Sequence, residues 1–566
     1  MERRASSPSK YGLGGARPLR RWLGRAGLAG AILVNGGCVA TGPVEWIRNG
    51  FKVGPNYDQP QGPVAPEWIE ARDPRVQDRH LQDWWTVFQD GRLSSLIDTA
   101  YQQNLTLRSA GARVLEARAQ QAIAAGSFFP QTQQATGEIS RVGLSRNAAN
   151  NPASLLPVLA GLPGSNLIPG REVPTNWFTD MSGGFNLSWE LDFWGRFRRA
   201  IESANANLDA SLDSYDDALV TLLADVATNY VQFRISQQRI QIAQENVGIQ
   251  ERILALAEER FRVGVKATRL DVEQARTVLE QTRSSIPAQQ ITLGQANDTL
   301  CILLGIPVRD LEPELGAAPG ASADPVPSTP KWVATGIPAD LLRRRPDVRQ
   351  AERRVAAESA EIGVAEADLY PSIFINGTLG WEAQDLSQLF ESRSFMGSIT
   401  PNFRWNILNY GRISNNVRLQ QMRTQELIAT YQNKVLTAGR EVQTSLRGFL
   451  RSQEQAEALA RSVEAATAAT ELGETQYRTG VIDFNTVFNL AVTRVQQQDQ
   501  LAIARGNVAL NLINVYRALG GGWELRCERE NGRVLVPGPG VVDGMAQVAT
   551  PQETLPPKPN TPGQGQ

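Results

Sequence analysis

The chain has 566 residues, and its 57 Lys and Arg against 58 Asp and Glu leave a formal net charge of −1, so no whole-chain field attracts nucleic acid. One histidine, His80, excludes most histidine-based catalysis and argues against a His-rich metal site; it reads as a surface residue near a turn. The length exceeds one ordinary core, so two units or one elongated body are expected.

Residues 1–37 read as an export signal. Arginines recur through Arg25, an apolar stretch runs from Ala26 to Val34, and Asn35-Gly36-Gly37-Cys38 follows. A basic region, an apolar segment of ~7–15 residues and small residues before the cut describe such a signal. The site resembles a bacterial lipoprotein cleavage site, with Cys38 as the acylated first residue. Asn35 stands where such sites prefer Leu, and Val39, not Asp, follows the Cys, which suits passage to the outer membrane. Export would permit Cys301 and Cys527 to pair. Cys301 also lies in the apolar run Leu300–Leu304, where a buried thiol is common, and both readings stay open.

From Asn104 the chain states a unit that it later repeats. Asn104–Pro130 and Arg345–Pro371 align at an offset of 241, placing Arg108 on Arg349, Val114 on Val355 and Ala124 on Ala365. Each copy ends in aromatic-Pro and changes from helical to strand periodicity. Gln131–Val142 alternates weakly, through Ala135, Gly137 and Ile139. Met181, Phe185, Leu187, Trp189, Leu191 and Phe193 alternate strongly against Ser182, Asn186, Ser188, Glu190 and Asp192. In the second copy Ile373, Ile375, Leu379 and Trp381 form one apolar row, and Phe395, Ile399, Phe403, Trp405 and Ile407 another. Strands of ~10 residues cross a bilayer when tilted. Aromatics toward their ends (Trp177, Trp189, Trp194, Trp381, Trp405, Tyr410) suit an interfacial girdle. Four strands cannot close a barrel, since closure begins at about eight, so spanning strands imply an oligomer.

Phe193-Trp194-Gly195-Arg196 and Asn409-Tyr410-Gly411-Arg412 then mark matching helix starts at offset 216. The drop from 241 assigns about 25 extra residues to the first hairpin, in the Gly/Pro/Asn-rich loop 147–176. No Pro interrupts Arg196–Phe261, so a helix there runs roughly 100 Å at 1.5 Å per residue. Ala456, Leu459, Val463, Ala466, Thr470, Gly473 and Tyr477 keep three-four spacing, the periodicity of a coiled coil. Both long helices are expected to stop at glycine turns, Phe261–Val265 and Tyr477–Val481. Return helices end at Leu304-Gly305 and Leu519-Gly520, now at offset 215, which gives the first turn one extra residue. The expected division is 1–37 signal, 38–90 N-terminal lipoprotein segment, 91–311 first repeat, 312–336 linker, 337–525 second repeat and 526–566 disordered tail.

With these features the chain resembles the TolC-like outer-membrane efflux channels, in particular the OprM/NodT-like lipoprotein outer-membrane factors of tripartite pumps. The resemblance is carried by Val53-Gly54-Pro55-Asn56-Tyr57-Asp58-Gln59-Pro60, by Ile337–Arg349 with its Arg343-Arg344-Arg345-Pro346-Asp347 corner, and by the paired glycine turns with Leu270-Asp271-Val272. It implies a mainly α fold with a membrane β-barrel portion. Long coiled-coil helices would form a periplasmic α-barrel, and four transmembrane strands per chain would join a trimeric twelve-stranded β-barrel. It further implies a lipid-anchored outer-membrane protein that performs no chemistry and needs no cofactor or metal. Cargo would arrive from an inner-membrane transporter, of the RND type, through a periplasmic adaptor. Adaptor contact is expected at Arg262, Val263, Gly264 and Val265 and at Arg478, Thr479, Gly480 and Val481.

The family narrows its entrance with a carboxylate and an apolar residue just after the second tip turn. Here that spacing selects Asn485 and Asn489, with Leu270 and Gln274 at the matching places of the first copy. A ring of amides attracts cations less than a ring of carboxylates. The arginine-rich corner reads as a structural ion-paired joint, and Asp216-Asp217 as part of a solvated helix face. Two alternatives stand beside a small-molecule conduit: a periplasmic coiled-coil adaptor or scaffold, which would share the helices but not the strands, and a TolC-like conduit for type I protein secretion.

Overall fold

The computed structural model describes residues 41–77, 82–143, 177–264, 268–316 and 326–528. The export signal, Cys38, His80, the loop 147–176, Val265 and the tail beyond 528 lie outside the described residues.

Two copies of one unit are drawn out along the chain. A short helix α1 (Pro43–Arg48) precedes α2 (Gly91–Gln103), α3 (Leu105–Gly126), β1 (Thr132–Gly143), β2 (Trp177–Leu191), α4 (Arg196–Val263) and α5 (Arg269–Leu303). The second copy supplies α6 (Pro346–Ala367), β3 (Ser372–Ala383), β4 (Phe395–Arg404), α7 (Arg412–Thr479) and α8 (Phe484–Ala518). The boundaries carry the offsets seen in the residues: 346 − 105 = 241 for α3 and α6, 412 − 196 = 216 for α4 and α7, and 484 − 269 = 215 for α5 and α8. Both long helices have 68 residues and both return helices 35, so the long arms reach ~100 Å and the returns about half of that.

The four long strands form one antiparallel sheet in the order β1-β2-β3-β4, joining the copies through the β2–β3 pair. Its register lines the apolar residues up across strands, as Leu191–Ile373–Phe403, Trp189–Ile375–Pro401 and Phe185–Leu379–Gly397. The other face carries Asn186–Thr378–Ser398 and Ser188–Asn376–Thr400. A lateral hydrogen bond runs there from the Ser188 hydroxyl to Asn376 Oδ1 at 2.8 Å. The strands stop earlier than their alternation suggests. Phe193 lies past Leu191, and Trp405 and Ile407 lie past Arg404, where the chain turns toward helix. Trp194, Trp405 and Tyr410 therefore stand at the base of the sheet instead of within strands.

Where strands give way to helices, α3 and α6 pack alongside the first halves of α4 and α7, and α5 and α8 pack along the second halves. The main apolar core fills the waist. Trp84 and Phe88, Leu219–Ile235 of α4, Leu300 of α5, Tyr431–Leu450 of α7 and Leu512–Tyr516 of α8 all enter it. Cys301 belongs to this core as a buried free thiol, its Sγ donating to the Arg309 carbonyl at 3.3 Å.

The arginine-rich corner binds this waist together. Arg345 bonds Asp347 at 2.7 Å and the Ala518 carbonyl at 2.9 Å, and it pairs with Glu441. Lys434 reaches Asp347 at 3.0 Å. Burial pushes the Asp347 carboxyl up, but its bonds to Arg345 and Lys434 outweigh that and hold it below the usual range. Arg349 reaches Asp213 at 2.9 Å and Asp216 at 2.8 Å while lying over the Trp523 ring at 4.4 Å, and Arg526 adds a bond to Asp216 at 2.7 Å. The expectation of an ion-paired joint fits this geometry. The expectation that Asp216 belongs to a solvated face is wrong: it is 1% exposed, because α6 and the residues after α8 close over that face of α4.

Removing one partner of a buried, shared ion pair typically costs about 3–5 kcal/mol, since the remaining charges stay buried. Asp216→Asn is therefore expected to lower the denaturation midpoint of the detergent-solubilised protein sharply. Asp209→Asn, at an exposed position on the same helix, should shift stability by only about 0.5 kcal/mol.

Candidate functional site

The two helical hairpins end side by side. α4 stops at Gly264 with φ +75° and α7 at Gly480 with φ +83°, the left-handed conformation that only glycine adopts cheaply. Five residues (264–268) separate α4 from α5 and four (480–483) separate α7 from α8, so the first turn is one residue longer, as the offsets indicate. The return helices start with mirrored caps. Thr268 caps α5 and exchanges bonds with Asp271, whereas Asp483 caps α8 and accepts from the backbone N–H of Thr486 at 3.0 Å. The bonds from Thr486 hold the Asp483 carboxyl below its ordinary range.

A cation bridges the two turns. Arg260 on α4 lies over the Tyr477 ring of α7 at 4.2 Å and donates to the Arg478 carbonyl at 3.1 Å. Beneath it, Ile253, Ala257, Val272, Ala275, Tyr477, Phe484, Val487 and Ala491 form a small apolar core separate from that of the waist. Sequence reasoning missed Arg260. The coiled-coil spacing marks Tyr477 as a seam residue, but nothing local says that a residue 217 positions earlier covers its ring.

Around this core the side chains assigned to contact and gating lie outward. Arg262, Val263, Gly264, Arg478, Thr479, Gly480 and Val481 are all exposed. Asn485 and Asn489 are exposed on one face of α8, while Leu270 is exposed and Gln274 half-buried on α5. The fold thus brings Asn485, Asn489, Leu270 and Gln274 and the two glycine turns to one end of the molecule. Between tip and waist the α4–α8 seam turns polar. Arg239 pairs with Asp499 at 2.7 Å, Asn246 bonds Gln498 at 3.0 Å, and a cavity of about 240 Å³ opens between α4, α5 and α8. Gln250 is buried in this seam without a hydrogen-bond partner.

At the opposite end of the helices the N-terminal signature also finds its place. Gly54, with φ +80°, crosses α6 where a Cβ would collide with the backbone of Gly363. Arg199 holds the Val53 and Gly54 carbonyls at 3.0 and 2.9 Å, and Tyr57 and Gln59 both reach Glu352. Among the described residues, no helix is long and apolar enough to cross a membrane.

Comparison with known proteins gives this geometry its context. Residues 96–306 and 337–521 each match the model of the family described as outer membrane efflux protein. The pyoverdine export outer membrane protein OpmQ of Pseudomonas putida is 30% identical over 465 residues, covering 81% of this chain and 93% of that protein. The cation efflux system protein CusC of Escherichia coli O6:H1 is 29% identical over 478 residues, with coverages of 84% and 96%. Among solved structures, the outer-membrane channel OprN aligns with a TM-score of 0.73 at 30% identity, over 83% of this chain and 99% of that one.

The Arg260 bridge yields a direct expectation. A partly exposed cation–π contact and one hydrogen bond together contribute about 1–2 kcal/mol, so Arg260→Ala should raise local opening of the tip roughly tenfold. Trypsin cleavage after Arg262 and Arg478 reports that opening. Arg276→Ala, which removes only exposed ion pairs, should leave the cleavage rate nearly unchanged.

Proposed function

The chain belongs to the outer membrane efflux protein family, and from that premise we propose that it is the passive exit conduit of a three-part export machine. It is the outer-membrane component of an efflux system. Three copies are read as closing a twelve-stranded barrel from their four-stranded sheets, with the helical hairpins forming a hollow tube below. The observation that carries this reading is the sheet itself. It has an apolar face across β2, β3 and β4 and an opposite face rich in polar side chains, its outer strands β1 and β4 lack partners on one side, and every residue of β4 is exposed. Lipid supplies no hydrogen bonds to an open edge, so such a sheet must close with other copies.

In this reading the chain performs no chemistry. An inner-membrane transporter, of the RND type, provides the energy, and a periplasmic adaptor meets the turns at Arg262–Val265 and Arg478–Val481. Residues 91–311 and 337–525 act as the two repeats, joined by 312–336. Residues 1–37 serve as the export signal, with Cys38 carrying the lipid anchor. Asn485 and Asn489, with Leu270 and Gln274, ring the closed entrance. The cargo is a small molecule, selected by the transporter.

Reconstitution tests this directly. Detergent-purified protein is expected to be a trimer that gives single-channel conductance in planar bilayers; an aqueous-soluble, non-conducting rod would overturn the reading. The same measurement addresses the gate. Amide rings should leave the closed-state conductance nearly insensitive to millimolar magnesium, and Asn489→Asp should make magnesium a blocker. Equal responses in both proteins would remove Asn489 from the pore.

A further inference from the structure

The segment just after the proposed anchor site is folded against the base of the sheet. Thr41 bonds Glu366 through its N–H and accepts from the Tyr370 hydroxyl at 2.9 Å through its carbonyl. The Gly54 N–H closes the loop onto Thr41 Oγ1 at 2.9 Å, and the Val53 N–H donates to the Trp194 carbonyl at 2.9 Å. Arg198 donates to the Gly50 and Phe51 carbonyls, both at 2.9 Å. Residues 41–54 therefore form a clamped loop, and α1 is its outer limb.

One side of that limb is well packed. The Trp46 ring lies 4.8 Å from Phe51, 5.3 Å from Phe193 and 5.5 Å from Trp194. Trp194 stacks on Tyr370 at 4.5 Å and donates to the Pro371 carbonyl at 2.8 Å. Phe193 follows two residues after Leu191, the last member of β2 on the apolar face, and Pro371 precedes β3. The other side of the limb is uncovered. There Val44 is 71% exposed and Ile47 59%, with Glu45 and Arg48 also exposed; Phe51, beyond the helix end, is 51% exposed although its ring meets Trp46 on one side. Phe51 also has φ +61°, a conformation that a bulky residue adopts only when its surroundings impose it. The clamp thus holds an aromatic ring half out of the protein at the cost of backbone strain.

We propose that α1 and Phe51 form a foot that sits in the lipid. Val44, Ile47 and Phe51 enter the headgroup–acyl boundary of the periplasmic leaflet beside the barrel base. The inference goes beyond the conduit reading and rests on it only in taking the strands as membrane-spanning. Continuity favours lipid over a protein partner, because Trp46 beside these side chains packs on Phe193, the residue that continues the apolar row of β2 past its strand end. Tether length agrees. Position 38 is three residues from Thr41, within about 11 Å even if fully extended, so a chain carried there would enter the same leaflet next to the foot. Small apolar limbs of this kind bind at the interface in proportion to the apolar area they bury.

A nitroxide scan tests the foot on the full-length protein in phosphatidylethanolamine/phosphatidylglycerol vesicles. Labels go on Ile47→Cys, on Ile399→Cys as the barrel reference and on Glu67→Cys as the aqueous reference. The background carries Cys301→Ser and Cys527→Ser, and the signal of that background is subtracted. Ile47→Cys is expected to favour collision with oxygen over a water-soluble nickel chelate, as Ile399→Cys does and Glu67→Cys does not. A nickel-accessible label at 47 would overturn the foot while leaving the barrel intact. Protection from both reagents would also overturn it, by showing that a neighbouring subunit covers α1. An aqueous signal at 399 would overturn the barrel reading and the foot with it.

Discussion

A strand in a bilayer can leave no backbone N–H or C=O without a partner, and the rest of this molecule follows from that requirement. Among the described residues one chain offers this sheet only four strands, so the sheet has two bare edges. An edge in contact with lipid is far more costly than one in water, which makes assembly a condition of the fold rather than an addition to it. The long helices extend the same logic below the membrane. Their polar surfaces and long reach suit a wall that is complete only when neighbouring copies supply the next panels.

Duplication provides those panels, and the differences between copies give them distinct duties. Three helix pairs of the two copies, α3 with α6, α4 with α7 and α5 with α8, match residue for residue in length, yet their ends are finished differently. At the tip, a threonine and an aspartate exchange places between the caps of α5 and α8. At the base, the first junction is covered by α1, whereas Tyr410 at the equivalent second junction is fully open. In the waist, the corner at Arg345–Arg349 exists only in the second copy and holds both long helices at once. The apolar cores at waist and tip are separated by the polar α4–α8 seam.

Much of this is legible in the sequence. The repeat offsets of 241, 216 and 215 reappear as element boundaries because a duplicated unit preserves the spacing of its turns. Alternation found the four strands because one face meets an apolar medium and the other does not. Strand ends were less legible, since Phe193 and Trp405 keep the alternating pattern after the hydrogen-bonded ladder has stopped. What local pattern could not reveal is contact between distant segments. Asp216 looks like any acidic helix residue until Arg349 and Arg526 arrive from elsewhere in the chain. Arg260 likewise gains its meaning only when a second hairpin lies beside the first. Asn485 and Asn489 are marked by spacing from Gly480, and both side chains are exposed on α8.

The clamp on residues 41–54 also dictates an order of events. Its partners include Trp194 and Arg198 in the first copy and Gly363, Glu366 and Tyr370 in the second, the last more than three hundred residues further along the chain. Residues 41–54 can thus complete their native contacts only once α6 has formed. Long sequence separation slows folding. Here it also makes the seating of the N-terminus a report that both halves of the chain are present and correctly joined.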